Sequence, residues 1–400
     1  MTHQTRTRAT FAPPIPEARR WLDGVTFPED RPLINLSQAA PVDPPPLPLR
    51  RAMAEAMENP DTHLYGPVLG NDSLRAALAE NWANHYGAPV APEQTAITQG
   101  CNQAFAATLA ALTTEGDEVI LPLPWYFNHK MWLDMSGVTA VPLATGSDLI
   151  PTAEDAAKLI TSKTRAIALV SPNNPGGTEY PEATLRAFYD LAKSHGIRLI
   201  LDETYRDFHS RAGAPHDLLQ SPDWDKTLIQ LYSFSKAYRL TGHRVGAIIT
   251  DPALLREMEK FQDTVAICAP QMGQFAAEWG LRNLDPWVAE QRAEVLARRA
   301  AVEAHFPPLA AKGWRLLGLG AYFAYIEHPF AEPASTLAPK IVREAGVLLL
   351  PGSMFFPKGN DTGERHFRVA FANADKDGIK AMCTRLAALD WPLAAPKTSK

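Results

Sequence analysis

The run Ala166-Ile-Ala-Leu-Val170-Ser-Pro-Asn-Asn-Pro-Gly-Gly177, then Pro181–His195, then Arg198-Leu-Ile-Leu201-Asp202-Glu203, decides the fold. Each apolar run lacks the alternation of a half-exposed strand and reads as a strand buried on both faces. Ser, Pro, Asn and Gly after the first run supply turn dihedrals. Residues Pro181–His195 carry a helical pattern, so the unit reads as strand, loop, helix, strand. Working outward, further apolar runs stand at Thr95–Thr98, Glu118–Leu121, Val138–Leu143, Thr227–Tyr232 and Val245–Ile249. Helical patterns such as Thr152–Ile160 separate many of them. The expected fold is α/β: a large domain with a mainly parallel sheet covered by helices on both faces.

Before this region, Asn71-Asp-Ser73 reads as the cap of an amphipathic helix presenting Leu74, Leu78, Trp82 and Tyr86. The proline cluster Pro41–Pro48 reads as extended or turn-like. After it, helical segments run from Pro252 to about His305. Strands are then expected at Ala321–Ile326, Val347–Leu350 and His366–Phe371, with helices at Thr336–Ala345 and Asp375–Leu389. This second rhythm describes a smaller α+β domain, and Ala395–Lys400 reads as a frayed tail. The expected division is an N-terminal arm and part of the small domain over 1–50, the large domain over 51–290, and the small C-terminal domain over 291–400.

Composition excludes several classes. With 400 residues, the length prior is two or three domains of roughly 150 residues. A net charge of −5 offers no basic excess for nucleic acid or an anionic membrane. No run approaches the roughly 20 apolar residues of a membrane helix. Arg6 and Arg8 are followed by no apolar core, so Met1–Arg20 does not read as a secretory signal. Cys101, Cys268 and Cys383 are far apart and form no CxxC, which argues against a disulfide scaffold or a zinc site and favours a cytoplasmic protein. The 35 prolines are the one unusual count, nearly twice the roughly 5% norm.

In an open α/β sheet, ligands bind beyond the carboxyl ends of the strands. Ser233-Phe-Ser235-Lys236-Ala-Tyr-Arg-Leu-Thr-Gly242-His-Arg244-Val-Gly246 follows one such end. Its hydroxyls, lysine and arginine can converge on one phosphate and one carbonyl, and lysine forms Schiff bases with aldehyde cofactors. Ser-x-Ser-Lys alone also reads as a solvated loop. Asp202 ends a buried strand, where a carboxylate needs a cation such as a protonated pyridine nitrogen. Capping the next helix is its other reading. Asn174 follows a third strand, in a loop where prolines fix the backbone, and is equally well a turn residue. Gly100-Cys101-Asn102 opens a helix whose free N–H groups suit a phosphate, though the Walker ending is missing. After Pro124, Trp125 and Tyr126 can stack on a planar ring or pack in the core.

Together these features resemble the fold-type I pyridoxal-phosphate-dependent aminotransferases of class I/II, from about Ile34 to Leu389. Ser-x-Ser-Lys-x(5)-Gly-x-Arg-x-Gly is the most specific motif. The resemblance implies that Lys236 is the Schiff-base lysine and proton shuttle, and that Asp202 pairs with the pyridine nitrogen. It implies Asn174 and Tyr205 as donors to the phenolic oxygen, and Tyr126, ahead of Trp125, as the stacking aromatic. Ser233, Ser235 and Arg244, with the backbone of Gly100, Cys101 and Asn102, match phosphate ligands. Tyr65 matches a tyrosine reaching the phosphate of a neighbouring subunit, which implies a homodimer with shared sites. Arg368 matches the clamp on the substrate α-carboxylate. Ala39-Ala40-Pro41 replaces the family's usual substrate-side Gly-x-Pro, a change at Ala39 that would narrow the space beside the substrate.

The implied activity is ping-pong transamination between an L-amino acid and a 2-oxo acid, leaning to aromatic or large neutral donors because of Trp125, Tyr126, Phe127, Phe355 and Phe356. A carbon–sulfur β-lyase shares every one of these residues and is the alternative. A regulator carrying this fold needs a DNA-binding module, for which the segment before Ile34 is too short and proline-rich. Gly318-Leu-Gly320-Ala-Tyr-Phe323 fails the dinucleotide fingerprint at its last glycine, which excludes a Rossmann dehydrogenase. No nucleic acid, membrane or metal is expected.

Overall fold

The computed structural model describes residues 5–395; beyond Ala395, the expected tail lies outside them. Seven strands form the large sheet: β1 (Thr95–Thr98), β2 (Glu118–Pro122), β3 (Thr139–Leu143), β4 (Thr164–Val170), β5 (Arg198–Asp202), β6 (Leu228–Ser233) and β7 (Gly246–Ile249). Their order is β1-β7-β6-β5-β4-β2-β3. All run parallel except β7, which is antiparallel to both neighbours.

The core explains why the central strands read as unbroken apolar runs. Ile167, Leu169, Leu199 and Leu201 pack into one layer, while Ala166, Ala168, Ile200, Ile229 and Leu231 pack into the layer on the other face. Adjacent residues of a strand point to opposite faces, so both faces need apolar side chains. Each fully buried aliphatic side chain contributes about 1.5–3 kcal/mol.

The smaller sheet is antiparallel and contains β8 (Arg315–Gly320), β9 (Phe323–Glu327), β10 (Leu350–Pro351) and β11 (His366–Val369), in the order β10-β11-β9-β8. Ile34–Asn35 pairs in parallel with Val347–Leu348, tying the N-terminal segment to the C-terminal part of the chain. Strand β8 was not expected, since Gly318 and Gly320 weaken its pattern; it forms a hairpin with β9. The expected strand Ala321–Ile326 therefore begins two residues later, because Ala321, at φ 43°, belongs to the turn.

Two local expectations change. The proline-rich stretch is extended only as far as Pro46, and Leu47–Ala56 is a helix with Pro48 in its first turn. Amides of a first turn have no intrahelical partner, so proline is tolerated there. Helix Asp72–Tyr86 does start after Asn71, but the Asn71 side chain does not cap it; its amide donates to Gln271 Oε1 at 2.7 Å. Among the described residues, no helix is long and apolar enough to cross a membrane, and no group of three or more His, Cys, Asp or Glu side chains is arranged to hold a metal ion.

Candidate active site

The carboxyl ends of β4, β5 and β6 open into a cavity of about 310 Å³. Strand β7 runs the opposite way, so its beginning lies at this same rim and brings Arg244 beside Lys236. Cys101, Asn102, Tyr126, Asn174, Asp202, Tyr205, Ser233, Ser235, Lys236, Arg244, Arg368 and Ala39 all line the cavity. The sequence scatters these residues over more than three hundred positions.

Lys236 sits in the short helix Phe234–Ala237, capped by Ser233, whose hydroxyl accepts from Ser235 N–H at 3.2 Å. Its Nζ donates to the Ala39 carbonyl at 2.5 Å. Burial and the neighbouring Arg368 and Arg244 push the ammonium pKa down to about 8. Asp202 is 3% exposed. Its Oδ1 accepts from Thr204 N–H at 3.0 Å, and its Oδ2 stands 3.3 Å from His129 Nε2. Burial alone would raise its pKa, but His129 and Thr204 outweigh it and hold the carboxyl below its usual range.

Arg368 lies in β11, paired with Tyr325 of β9 and Leu350 of β10. Its guanidinium is 2% exposed, donates to Asn174 Oδ1 at 2.9 Å and bonds the Ser37 carbonyl. Among the described residues its Nε has no hydrogen-bond partner. The rings of Phe323 and Phe355 lie 5.1 Å from Cζ. Burial pulls its pKa down to about 10. No carboxylate forms an ion pair with it among the described residues, so a buried cation faces the cavity with donor capacity to spare.

Opposite stands an anion cradle. Gly100 precedes helix Cys101–Leu112 at φ 84°, and a Cβ there would meet the Arg244 guanidinium at 2.3 Å. A Cβ on Gly246 would lie 2.6 Å from the Gly100 carbonyl carbon. Two missing side chains thus let Arg244 and the start of β7 close on the helix N-terminus, where first-turn amides favour an anion. Among the described residues, three cations (Lys236, Arg244 and Arg368) face the cavity against the single carboxylate Asp202. That donor set fits one phosphate and one carboxylate.

Two residues named from the sequence lie elsewhere. Trp125, 4% exposed, packs with Phe105 and Leu133 in the core and does not line the cavity; its neighbour Tyr126 does. Tyr65 is 79% exposed and flanks a separate groove beside Cys268 and Gln271.

His129, which sits behind the cavity against Asp202, was missed, as were Ile15, Gln38, Asn128, Thr204 and Thr241, which line it. His129 lies three residues after Tyr126, in the first turn of helix Phe127–Ser136. It stacks on Phe105 at 3.8 Å and meets Tyr126 edge-on at 5.0 Å. That i, i+3 spacing was its signal. Ile15 belongs to helix Pro14–Arg20, which the sequence reading did not identify.

Comparison with known proteins agrees with this geometry. The family model "Aminotransferase class I and II" matches residues 31–386. The arginine–pyruvate transaminase AruH of Pseudomonas aeruginosa is 30% identical over 362 residues, 89% of each chain. The aromatic aminotransferase ISS1 of Arabidopsis thaliana is 27% identical, over 95% of this chain and 94% of its own. The aspartate aminotransferase of Thermus thermophilus solved with maleate superposes with a TM-score of 0.86 at 25% identity, covering 97% of this chain and 99% of its own. The chain belongs to the class I and II aminotransferases. It is a pyridoxal-phosphate-dependent enzyme of amino-group transfer.

Proposed function

We propose that this aminotransferase acts on aromatic or large neutral L-amino acids and returns the amino group to a 2-oxo acid at the same site. The observation carrying this reading is Arg368: a buried guanidinium with no ion-pair partner among the described residues, sharing one cavity with Lys236 and Asp202. Bound pyridoxal phosphate supplies an aldehyde carbon for amine exchange and a ring that takes up the electron pair left on the substrate α-carbon.

The protein's own contributions follow from position and charge. Arg368 takes the α-carboxylate as a two-pronged donor, with Asn174 orienting it. Lys236 Nζ removes the α-proton and returns it, and its lowered pKa keeps an appreciable fraction as free amine near neutral pH. Asp202, ionised beside His129, holds a proton on the pyridine nitrogen. Asn174 and Tyr205 serve the phenolic oxygen, and Tyr126 covers the ring. Ser233, Ser235, Arg244 and the amides of Gly100, Cys101 and Asn102 hold the phosphate. The Ala39 carbonyl, bonded to Lys236, borders the substrate.

Tyr126 and Phe127 line the cavity, and no fourth lysine or arginine among the described residues lines it to pair with a side-chain carboxylate. Both facts support the aromatic or neutral preference, as does the name of the Arabidopsis relative. Tyr65, exposed beside Leu64 at 62% exposure, is offered to a second copy of the chain in a homodimer. Three free cysteines support a cytoplasmic setting.

A panel of amino donors against 2-oxoglutarate and pyruvate tests the reading. Highest kcat/KM is expected for phenylalanine, tyrosine or large neutral donors, and a clear preference for aspartate would overturn it. Nothing in the site favours the β-lyase alternative. Steady release of pyruvate and ammonia from cystathionine without added 2-oxo acid would establish it instead.

A further inference from the structure

Asp202 ends β5, and the next residue, Glu203, points to the opposite face of the sheet. That side chain is 1% exposed and touches no part of the cavity. Two hydrogen-bond donors and a histidine converge on it from three separate segments. Tyr86 Oη donates to Oε2 at 2.7 Å, from the last residue of helix Asp72–Tyr86. Gln230 Nε2 donates to the same oxygen at 2.5 Å, from β6. His216 Nε2 stands 3.3 Å from Oε1. The His216 Nδ1 accepts from Leu218 N–H at 3.3 Å, so Nε2 carries the hydrogen facing Glu203.

Burial would raise the pKa of this carboxyl, but His216, Tyr86 and Arg206 overcome it and hold Glu203 ionised. The Arg206 guanidinium lies 3.5 Å above the Trp82 ring and bonds Asn81 Oδ1 at 3.0 Å. The backbone is fixed on either side of the same peptide. The Asp202 carbonyl accepts from Ser171 N–H at 3.0 Å, and Glu203 N–H donates to the Leu231 carbonyl at 2.9 Å.

We propose that Glu203 is a positioning residue for the reaction, bolting the end of β5 at the Asp202–Glu203 peptide from behind the sheet so that Asp202 meets the cofactor nitrogen in fixed geometry. This rests on the role assigned to Asp202 above. A carboxylate suits the position because every neighbour offers a hydrogen. A glutamine of the same shape must direct its own N–H₂ at one of those donors. The strand end then shifts, and small displacements of a reacting group carry large rate penalties.

The test is a cycle of holoenzyme variants: E203Q, D202N and E203Q/D202N, with kcat and KM measured at saturating cofactor and Tm recorded alongside. E203Q should lower kcat by about 10- to 100-fold with little change in KM. Once Asp202 is neutral, adding E203Q should cost nothing further. Y86F, which removes one donor and keeps the ring, provides the same readout if E203Q does not fold. It should lower kcat by a smaller factor and again have no effect on top of D202N. Wild-type kcat in E203Q with an impaired D202N overturns the inference and leaves the assignment of Asp202 standing. Additive losses in the double variant do the same, because Glu203 then acts on general stability. A near-normal D202N removes the assignment itself and this inference with it.

Discussion

The His129 imidazole is stacked on Phe105 with ring centroids 3.8 Å apart, and this places its Nε2 3.3 Å from Asp202 Oδ2. The carboxylate is thus held between an aromatic-braced ring on one side and the Thr204 N–H on the other. Both contacts favour the ionised form against the penalty of burial. An Asp202 that stays charged is what a protonated ring nitrogen requires.

Removing His129 should therefore raise the Asp202 pKa, because burial is then less opposed. His129→Ala is expected to move the acid limb of the kcat/KM profile toward neutral pH and lower the plateau. A profile between about pH 4 and 8 decides it. An unmoved acid limb would mean that Thr204 and the cofactor alone fix the charge of Asp202.

Lys236 carries two predictions. Lys236→Ala should abolish multiple turnover while cofactor still binds through its phosphate, measured by equilibrium dialysis. In the cofactor-free protein, the folded lysine titrates at about 8, below the roughly 10.4 of an unfolded chain. Between these values the unfolded chain binds the extra proton, so stability rises with pH across that window. Thermal melts from about pH 7 to 10 should show the rise in wild type and lose it in Lys236→Ala; equal slopes would contradict the shift.

Arg368→Lys removes the planar fork and the bond to Asn174. It should raise KM for amino acids and 2-oxo acids alike by on the order of tenfold or more, with a smaller change in kcat. Unchanged KM for both substrates would take Arg368 out of the carboxylate role.

Gly100→Ala puts a Cβ 2.3 Å from the Arg244 guanidinium in backbone at φ 84°. The strain alone costs about 1–3 kcal/mol, and Arg244 must move off the cradle. Cofactor affinity measured by fluorescence titration should fall, and Tm should drop with it. Retained affinity would show that the phosphate sits elsewhere.

Phe127 lines the cavity beside Tyr126 and packs 5.5 Å from Phe355. Phe127→Ala should reduce kcat/KM for phenylalanine about tenfold relative to alanine as donor. An unchanged ratio would assign Phe127 to packing alone.

The sequence was most legible where chemistry and periodicity coincide. Buried parallel strands announce themselves as unbroken apolar runs, and the residue after each run is forced to the ligand rim, which is why Lys236, Asp202 and Asn174 were readable. Trp125 and Tyr126 occupy consecutive positions of one loop, so spacing alone could not say which faces the core; the packing of Phe105 and Leu133 around Trp125 decides it. His129 was hidden because its partner, Asp202, is 73 positions away and only the fold brings them together. Ile15 and Gln38 were hidden for the same reason, since short N-terminal segments gain their place from tertiary contacts. Glycines masked strand β8, although its hairpin with β9 makes it regular.

Strand β7 has one more consequence. Because it alone runs backwards, the chain leaves the rim after Lys236 and must return to that same rim by Arg244 within a short detour. The detour works as a ruler: the residues between them set how far the lysine stands from the phosphate end of the cavity. A side chain there can change without altering that distance, but adding or deleting a residue cannot be absorbed by a flanking strand. Tolerance to insertion should therefore be lowest in this loop, although parts of it are open to solvent.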